Sequence, residues 1–157
     1  MGIGKPSAQK PVVAGAIFFD NKGRILIVKP TYKDNWNMPG GAVEEKESPI
    51  RGCMREIKEE LGFDWPNLKL IAVDYIGDSA KPSWGDAIRF LFYGGTLSDG
   101  EIANIKLPAE ELQKFEFVDP AEARKKLSPH TGTAVTAALE ALRSNKIVYL
   151  EDGVNVL

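Results

Sequence analysis

Apolar residues in this chain fall in short blocks separated by turn residues. The runs 12–19 and 24–28 flank Asp20-Asn21-Lys22-Gly23 and read as a strand pair around a turn. Residues 68–75 and 87–93 predict two more strands, and 115–118 a short one. One stretch changes period: Ile50, Cys53, Met54, Ile57 and Leu61 recur at helical spacing. Ser48 can cap this helix, Pro49 suits its first turn, and Gly62 can take the left-handed position that ends it. Helices are also predicted over 120–127 and 131–144. The chain closes with 147–150 and 154–157 around Glu151-Asp152-Gly153, whose Asp-Gly pair predicts a hairpin. Residues 36–41, with adjacent Gly40 and Gly41, read as a loop, as do 77–85, rich in Gly, Ser and Pro. Residues 1–10 read as a loose polar tail, leaving 11–157 as a single domain. Strands interleaved with few helices imply an α/β fold with a mixed sheet covered on both faces.

Composition narrows the function classes. The 157 residues, 43% hydrophobic and 27% charged, suit one ordinary globular domain. A net charge of -2 supplies no basic footprint for duplex nucleic acid, though a nucleotide needs only a few local groups. The single cysteine, Cys53, excludes an internal disulfide and fits a reducing, cytoplasmic setting. The apolar run 12–19 follows Lys5 and Lys10, as a secretory signal would. It is too short to span a bilayer and ends in a turn before a second apolar run, so a buried hairpin strand is the better reading. No membrane association is expected.

The chemistry concentrates between Gly41 and Phe63, which read GAVEEKESPIRGCMREIKEELGF. Glu56, Glu59 and Glu60 lie within one helical turn, mostly off the apolar stripe. Like charges three and four residues apart cost a helix a few tenths of a kcal/mol per pair. A solvated acidic face is the common fate of such a run. A divalent cation would reverse the sign of the repulsion, because carboxylate oxygens are the ligands that magnesium-like ions prefer.

Position for position the segment resembles the Nudix box, G-x5-E-x7-R-E-U-x-E-E-x-G-U, where U is bulky and apolar. Gly41, Glu47, Arg55, Glu56, Ile57, Glu59, Glu60, Gly62 and Phe63 all fall in register. The resemblance implies an α/β/α sandwich with a mixed central sheet and the box helix on one face. It also implies a metal-dependent pyrophosphohydrolase acting on a nucleoside diphosphate linked to a moiety X, which includes nucleoside triphosphates and oxidised forms. Magnesium or manganese would be the cofactor, held by Glu56, Glu59, Glu60 and the carbonyl of Gly40. Such an ion would polarise a phosphoryl oxygen and acidify water. Arg55, four residues before Glu59, would position that catalytic glutamate, and Glu56 and Glu59 would share the catalysis. Glu47, Gly41 and Gly62 would be structural, with Glu47 pinning the loop to the helix. The alternative is a Nudix-fold module that binds nucleotide without catalysis. Such a module would be expected to lose box carboxylates, and this chain keeps them.

Several residues outside the box are candidates. Glu101, Glu110 and Glu111 could supply a further carboxylate, with the 110–111 pair favoured. Lys81 could meet a phosphate and Trp84 could stack on a base of a small nucleotide-type substrate; Tyr75 and Phe92 are further aromatics whose commoner fate is packing. His130, the only histidine, is expected as a loop residue rather than a general base. Gly52 departs from the alanine usual at its box position, and glycine inside a helix costs about 1 kcal/mol.

Overall fold

The computed structural model describes residues 4–77 and 85–157. Among these described residues there are eight strands: β1 (Val12–Phe19), β2 (Ile25–Pro30), β3 (Gly40–Ala42), β4 (Lys69–Ile76), β5 (Ala87–Thr96), β6 (Leu112–Val118), β7 (Val148–Glu151) and β8 (Val154–Asn155). Four helices join them: α1 (Pro49–Leu61), α2 (Asp99–Ala103), α3 (Pro120–Lys126) and α4 (Pro129–Arg143). The strands make one sheet in the order β6-β2-β1-β5-β4-β7-β8, with β3 also paired to β1. β1 runs parallel to β5, and β4 parallel to β7. The other pairs are antiparallel, so the sheet is mixed, as expected.

Alternation along β1 builds a core on each face. Ala14, Ala16 and Phe18 pack with Cys53, Ile57 and Leu61 of α1. Ile17 faces the other way, with Leu127 beyond α3 and Ala134, Val135 and Ala138 of α4. The result is the α/β/α sandwich, with α1 on one face and α3 and α4 on the other. Burial pushes the Cys53 thiol up to about 12, so it serves as a small core residue.

α1 ends where its sequence says. Ser48 Oγ accepts from the Arg51 N–H at 3.3 Å, Pro49 occupies the first turn, and Gly62 (φ 88°) donates its N–H to the Lys58 carbonyl. The closing hairpin turns through Asp152 and Gly153, both at positive φ, as a type I′ turn requires.

Four expectations change. The loop 36–41 gives way at its last two residues to strand β3, since Gly40 and Gly41 pair with Gly15 and Ala14. The strand expected at 115–118 begins at Leu112, because pairing with β2 extends as far as Pro30. The short helix α2 was not anticipated, although Ser98 and Glu101 form a capping box whose spacing announces it. α4 begins at Pro129, capped by Ser128, so His130 sits in its first turn and not in a loop. Lys81 and Trp84 lie outside the described residues. Among the described residues no helix is long and apolar enough to cross a membrane.

Candidate active site

α1 and β3 meet at the box. β3 lies so close to β1 that a side chain on Gly40 (φ 145°) would come within 2.2 Å of the Ala14 carbonyl oxygen. On Gly41 it would fall 2.6 Å from the Glu56 carboxyl. The bare backbone of these glycines therefore lets the α1 carboxylates close onto β3. The Gly40 N–H donates to Glu60 Oε2 at 2.9 Å, so strand and helix are joined at the glycine just before the box.

The three glutamates occupy different surroundings. Glu60 is only 9% exposed. Burial pushes its carboxyl up to about 8; the Gly40 N–H opposes this, and the charges of Glu56, Glu111 and Glu59 add to it. Glu56 is half-buried and also raised, by burial first and against the pull of Arg55. Glu59 is the exposed member, with both oxygens 3.3 Å from Arg55 Nη1.

Arg55 organises the outer side of this cluster. It donates to Glu47 twice, from Nε at 2.9 Å and Nη2 at 3.1 Å. It also reaches Glu56 Oε1 at 3.0 Å and the Ala42 carbonyl at 2.9 Å. Glu47 in turn accepts the Glu44 N–H. One guanidinium thus ties the loop before α1, strand β3 and two α1 carboxylates together, which its planar five-donor geometry allows. Arg55 meets Glu59 as anticipated, but its paired bonds go to Glu47. Gly52 now has a reason: a side chain there would approach Glu47 Oε2 to 2.9 Å and Val43 Cγ2 to 3.1 Å. The crowding comes from the loop that Arg55 binds.

The donor set suits a hard divalent cation. Glu60 and Glu56 offer carboxylate oxygens, Glu60 is buried with one protein hydrogen bond, and the burial that raises both carboxyls is what a neighbouring cation would oppose. Among the described residues no three His, Cys, Asp or Glu side chains converge ready-made on one point, and Glu59 is turned toward Arg55.

The remaining candidates separate clearly. Glu111 lies near enough for its charge to raise both Glu56 and Glu60, at the start of β6 where its carbonyl accepts the Thr31 N–H. The Glu110 carbonyl accepts from Thr31 Oγ1. Glu101 is spent on the α2 cap. The Tyr75 hydroxyl donates to Asp86, and Phe92 is buried in the α1-side core. His130 lies 3.4 Å from the buried Asp74 carboxylate, away from the box glutamates.

A pocket of about 430 Å³ opens beside Gly40 and Gly41 on the α4 side of the sheet, within the range of small-molecule sites. Tyr32, Met38, Arg89, Leu91 and Thr131 are among its walls. Sequence reasoning passed over Tyr32 and Arg89, because only the sheet brings them to the box.

A mixed-sheet α/β/α sandwich with a complete carboxylate box on α1 defines the Nudix class. The family model of the NUDIX domain matches residues 9–138, and the chain belongs to that family. It is similar to the m7GpppN-mRNA hydrolase of Saccharomyces cerevisiae, 42% identical over 113 residues, which cover 69% of this chain and 11% of the yeast protein. The chain thus spans about a tenth of that relative's length. It is 33% identical over 113 residues to the RNA pyrophosphohydrolase of Hydrogenovibrio crunogenus, covering 65% of this chain and 67% of the relative. Among solved structures, the MutT protein of Methanosarcina mazei Go1 superposes with a TM-score of 0.68 at 22% identity, covering 89% of this chain and 99% of the other.

Proposed function

We propose that this protein is a divalent-metal-dependent hydrolase that cleaves the phosphoanhydride of a nucleoside diphosphate linked to a further group. The observation that carries this reading is the buried Glu60 carboxylate beside Glu56, held on the N–H of Gly40, which itself lines a ligand-sized pocket. The relatives' hydrolase names support it.

Water attacks one phosphorus and forms a new P–O bond. The bridging P–O bond breaks, the two phosphates separate, and the water gives up a proton. Magnesium or manganese, held by Glu56, Glu60 and the Gly40 carbonyl with Glu59 in reach of a second position, would neutralise phosphate charge and acidify water. Glu56 and Glu59 are the carboxylates placed to take the water's proton. Arg55 keeps Glu56 and Glu59 in orientation through its anchor on Glu47. Glu111 adds negative charge on the β6 side and is the candidate for a carboxylate outside the box. A reducing, cytoplasmic setting fits the lone buried Cys53.

The test is phosphate release from a panel of nucleotides with magnesium or manganese, for wild type and Glu60→Gln. Turnover that needs the metal and falls by several orders of magnitude in the variant is expected. Near wild-type turnover by a folded variant would overturn the assignment.

A further inference from the structure

Outside the box, positive charge from β2, β6 and α3 gathers around the segment 31–37 that leads into β3. Lys29 of β2 donates its ammonium to the Lys33 carbonyl, and Lys33 lines the pocket beside Gly40 and Gly41. Lys114 of β6 is the cross-strand partner of Lys29, and its ammonium lies 5.3 Å from the centre of the Trp36 ring. Lys126 of α3 lies 5.0 Å from the same ring. The Trp36 N–H donates to the Lys126 carbonyl, which fixes the segment to the end of α3. Arg124 and Lys125, the two exposed residues before it, flank Asn35 in a depression also bounded by Pro129 and Thr133 of α4.

This charge is only partly cancelled. Glu116 pairs with Lys126 at 2.7 Å and with Lys114 at 3.5 Å. Asp34 is an exposed acid on the segment, and Glu122 stands at the other end of α3. Among the described residues Arg124 and Lys125 have no ion-pair partner. Cations in the last turn of a helix are favoured by its dipole, which accounts for the three on α3. It does not account for Lys29, Lys33 and Lys114, which other parts of the chain bring to the same place. Gly132 holds the arrangement together: a side chain there would fall 2.7 Å from the Arg124 carbonyl oxygen, so α3 packs directly on α4.

The layout selects the ligand. Lys33 and Thr131 stand in the wall of the pocket beside the box, and Asn35, Pro129 and Thr133 in the wall of the depression. The two hollows are therefore neighbours across the segment and the start of α4. A single phosphate would be met by donors converging on one point. Here the cations are strung out from Lys33 to Arg124 and Lys125, which suits a chain of spaced phosphates. Trp36 is 9% exposed and offers no face for stacking, so the contact is with the backbone and carries no base preference.

Resting on the nucleotide-hydrolase reading above, we propose that this ridge binds the phosphates of a single-stranded polynucleotide whose 5′ phosphoanhydride lies at the box. Arg124 and Lys125 hold nucleotides downstream of the scissile bond and take no part in breaking it.

The experiment reads binding without metal or turnover, so it fails separately from the hydrolysis assay. A single strand of about ten nucleotides, labelled at its 3′ end, is titrated into the full chain in chelator, and anisotropy is followed at several salt concentrations. Binding should weaken as salt rises. The double variant Arg124→Gln/Lys125→Gln should bind at least about tenfold more weakly, with a log–log salt slope shallower by about 1.4, from two contacts at about 0.7 each. Lys125→Gln alone, a change at an exposed side chain, should lower the slope by about 0.7 and decides the matter if the double variant does not fold. Mononucleotide hydrolysis should run at the wild-type rate in both variants. No binding by wild type, a slope unaltered in the variants, a duplex of the same length bound as tightly as the single strand, or mononucleotide turnover lost together with binding would each overturn the proposal.

Discussion

The sharpest consequence of the site geometry concerns stability in the metal-free protein. The Glu60 carboxyl has an ordinary value of 4.5 and stands near 8 in the native state, chiefly through burial. Below 4.5 the native and unfolded chains both carry its proton and nothing changes. Between 4.5 and about 8 the native chain keeps a proton that the unfolded chain has lost, so stability falls as pH rises. Above about 8 the loss is complete. A tenfold change in proton affinity is worth about 1.4 kcal/mol, so the loss is of order 5 kcal/mol. Glu56, raised in the same direction, adds to it. Glu60→Gln keeps the shape and an oxygen for the Gly40 N–H but cannot ionise. Urea unfolding in chelator at several values from about pH 5 to about pH 9 should show wild type losing several kcal/mol relative to the variant. At the alkaline end the variant should be the more stable protein. Magnesium or manganese should restore wild type, by about 2.7 kcal/mol at a hundredfold excess over its Kd, and leave the variant unmoved. Parallel pH profiles for the two proteins, with no metal response in either, would refute the reasoning.

Two further substitutions test the architecture around Glu60. Gly41→Ala puts a methyl group 2.6 Å from the Glu56 carboxyl, so Glu56 must swing away; kcat should fall about a hundredfold or more with the fold retained, as reacting groups misplaced by 1 Å do. Kinetics with circular dichroism would check it, and unchanged kcat would remove Glu56 from the reacting centre. Arg55→Lys keeps the charge but not the paired bonds to Glu47, so kcat should drop at least about tenfold while the folded signal persists; wild-type turnover would reduce the Arg55 network to scaffolding.

What the linear chain determined is local. Ser48, Pro49 and Gly62 bound α1 because capping uses residues within a few positions of each other. The carboxylate cluster was legible for the same reason, since Glu56, Glu59 and Glu60 are neighbours through helical spacing alone. Asp152-Gly153 announced the last hairpin through their tolerance of positive φ. α2 was also legible, in Ser98 and Glu101, and was missed because a five-residue helix has too little apolar periodicity to register. Tertiary structure decided the rest. β3 exists because β1 offers a partner to Gly40–Ala42, which have almost no side chain to signal a strand. Helical spacing sets Glu60 on the buried face with Cys53, Ile57 and Leu61, and the β3 pairing supplies the Gly40 N–H that meets it there, while Glu59 stays exposed. Asp74, Arg89 and Thr131 come together only through a cross-strand pair and the packing of α4 on the sheet. A hydrogen bond across 42 residues leaves no periodic trace in the chain, because what selects it is the desolvated wall it closes and not its neighbours in sequence.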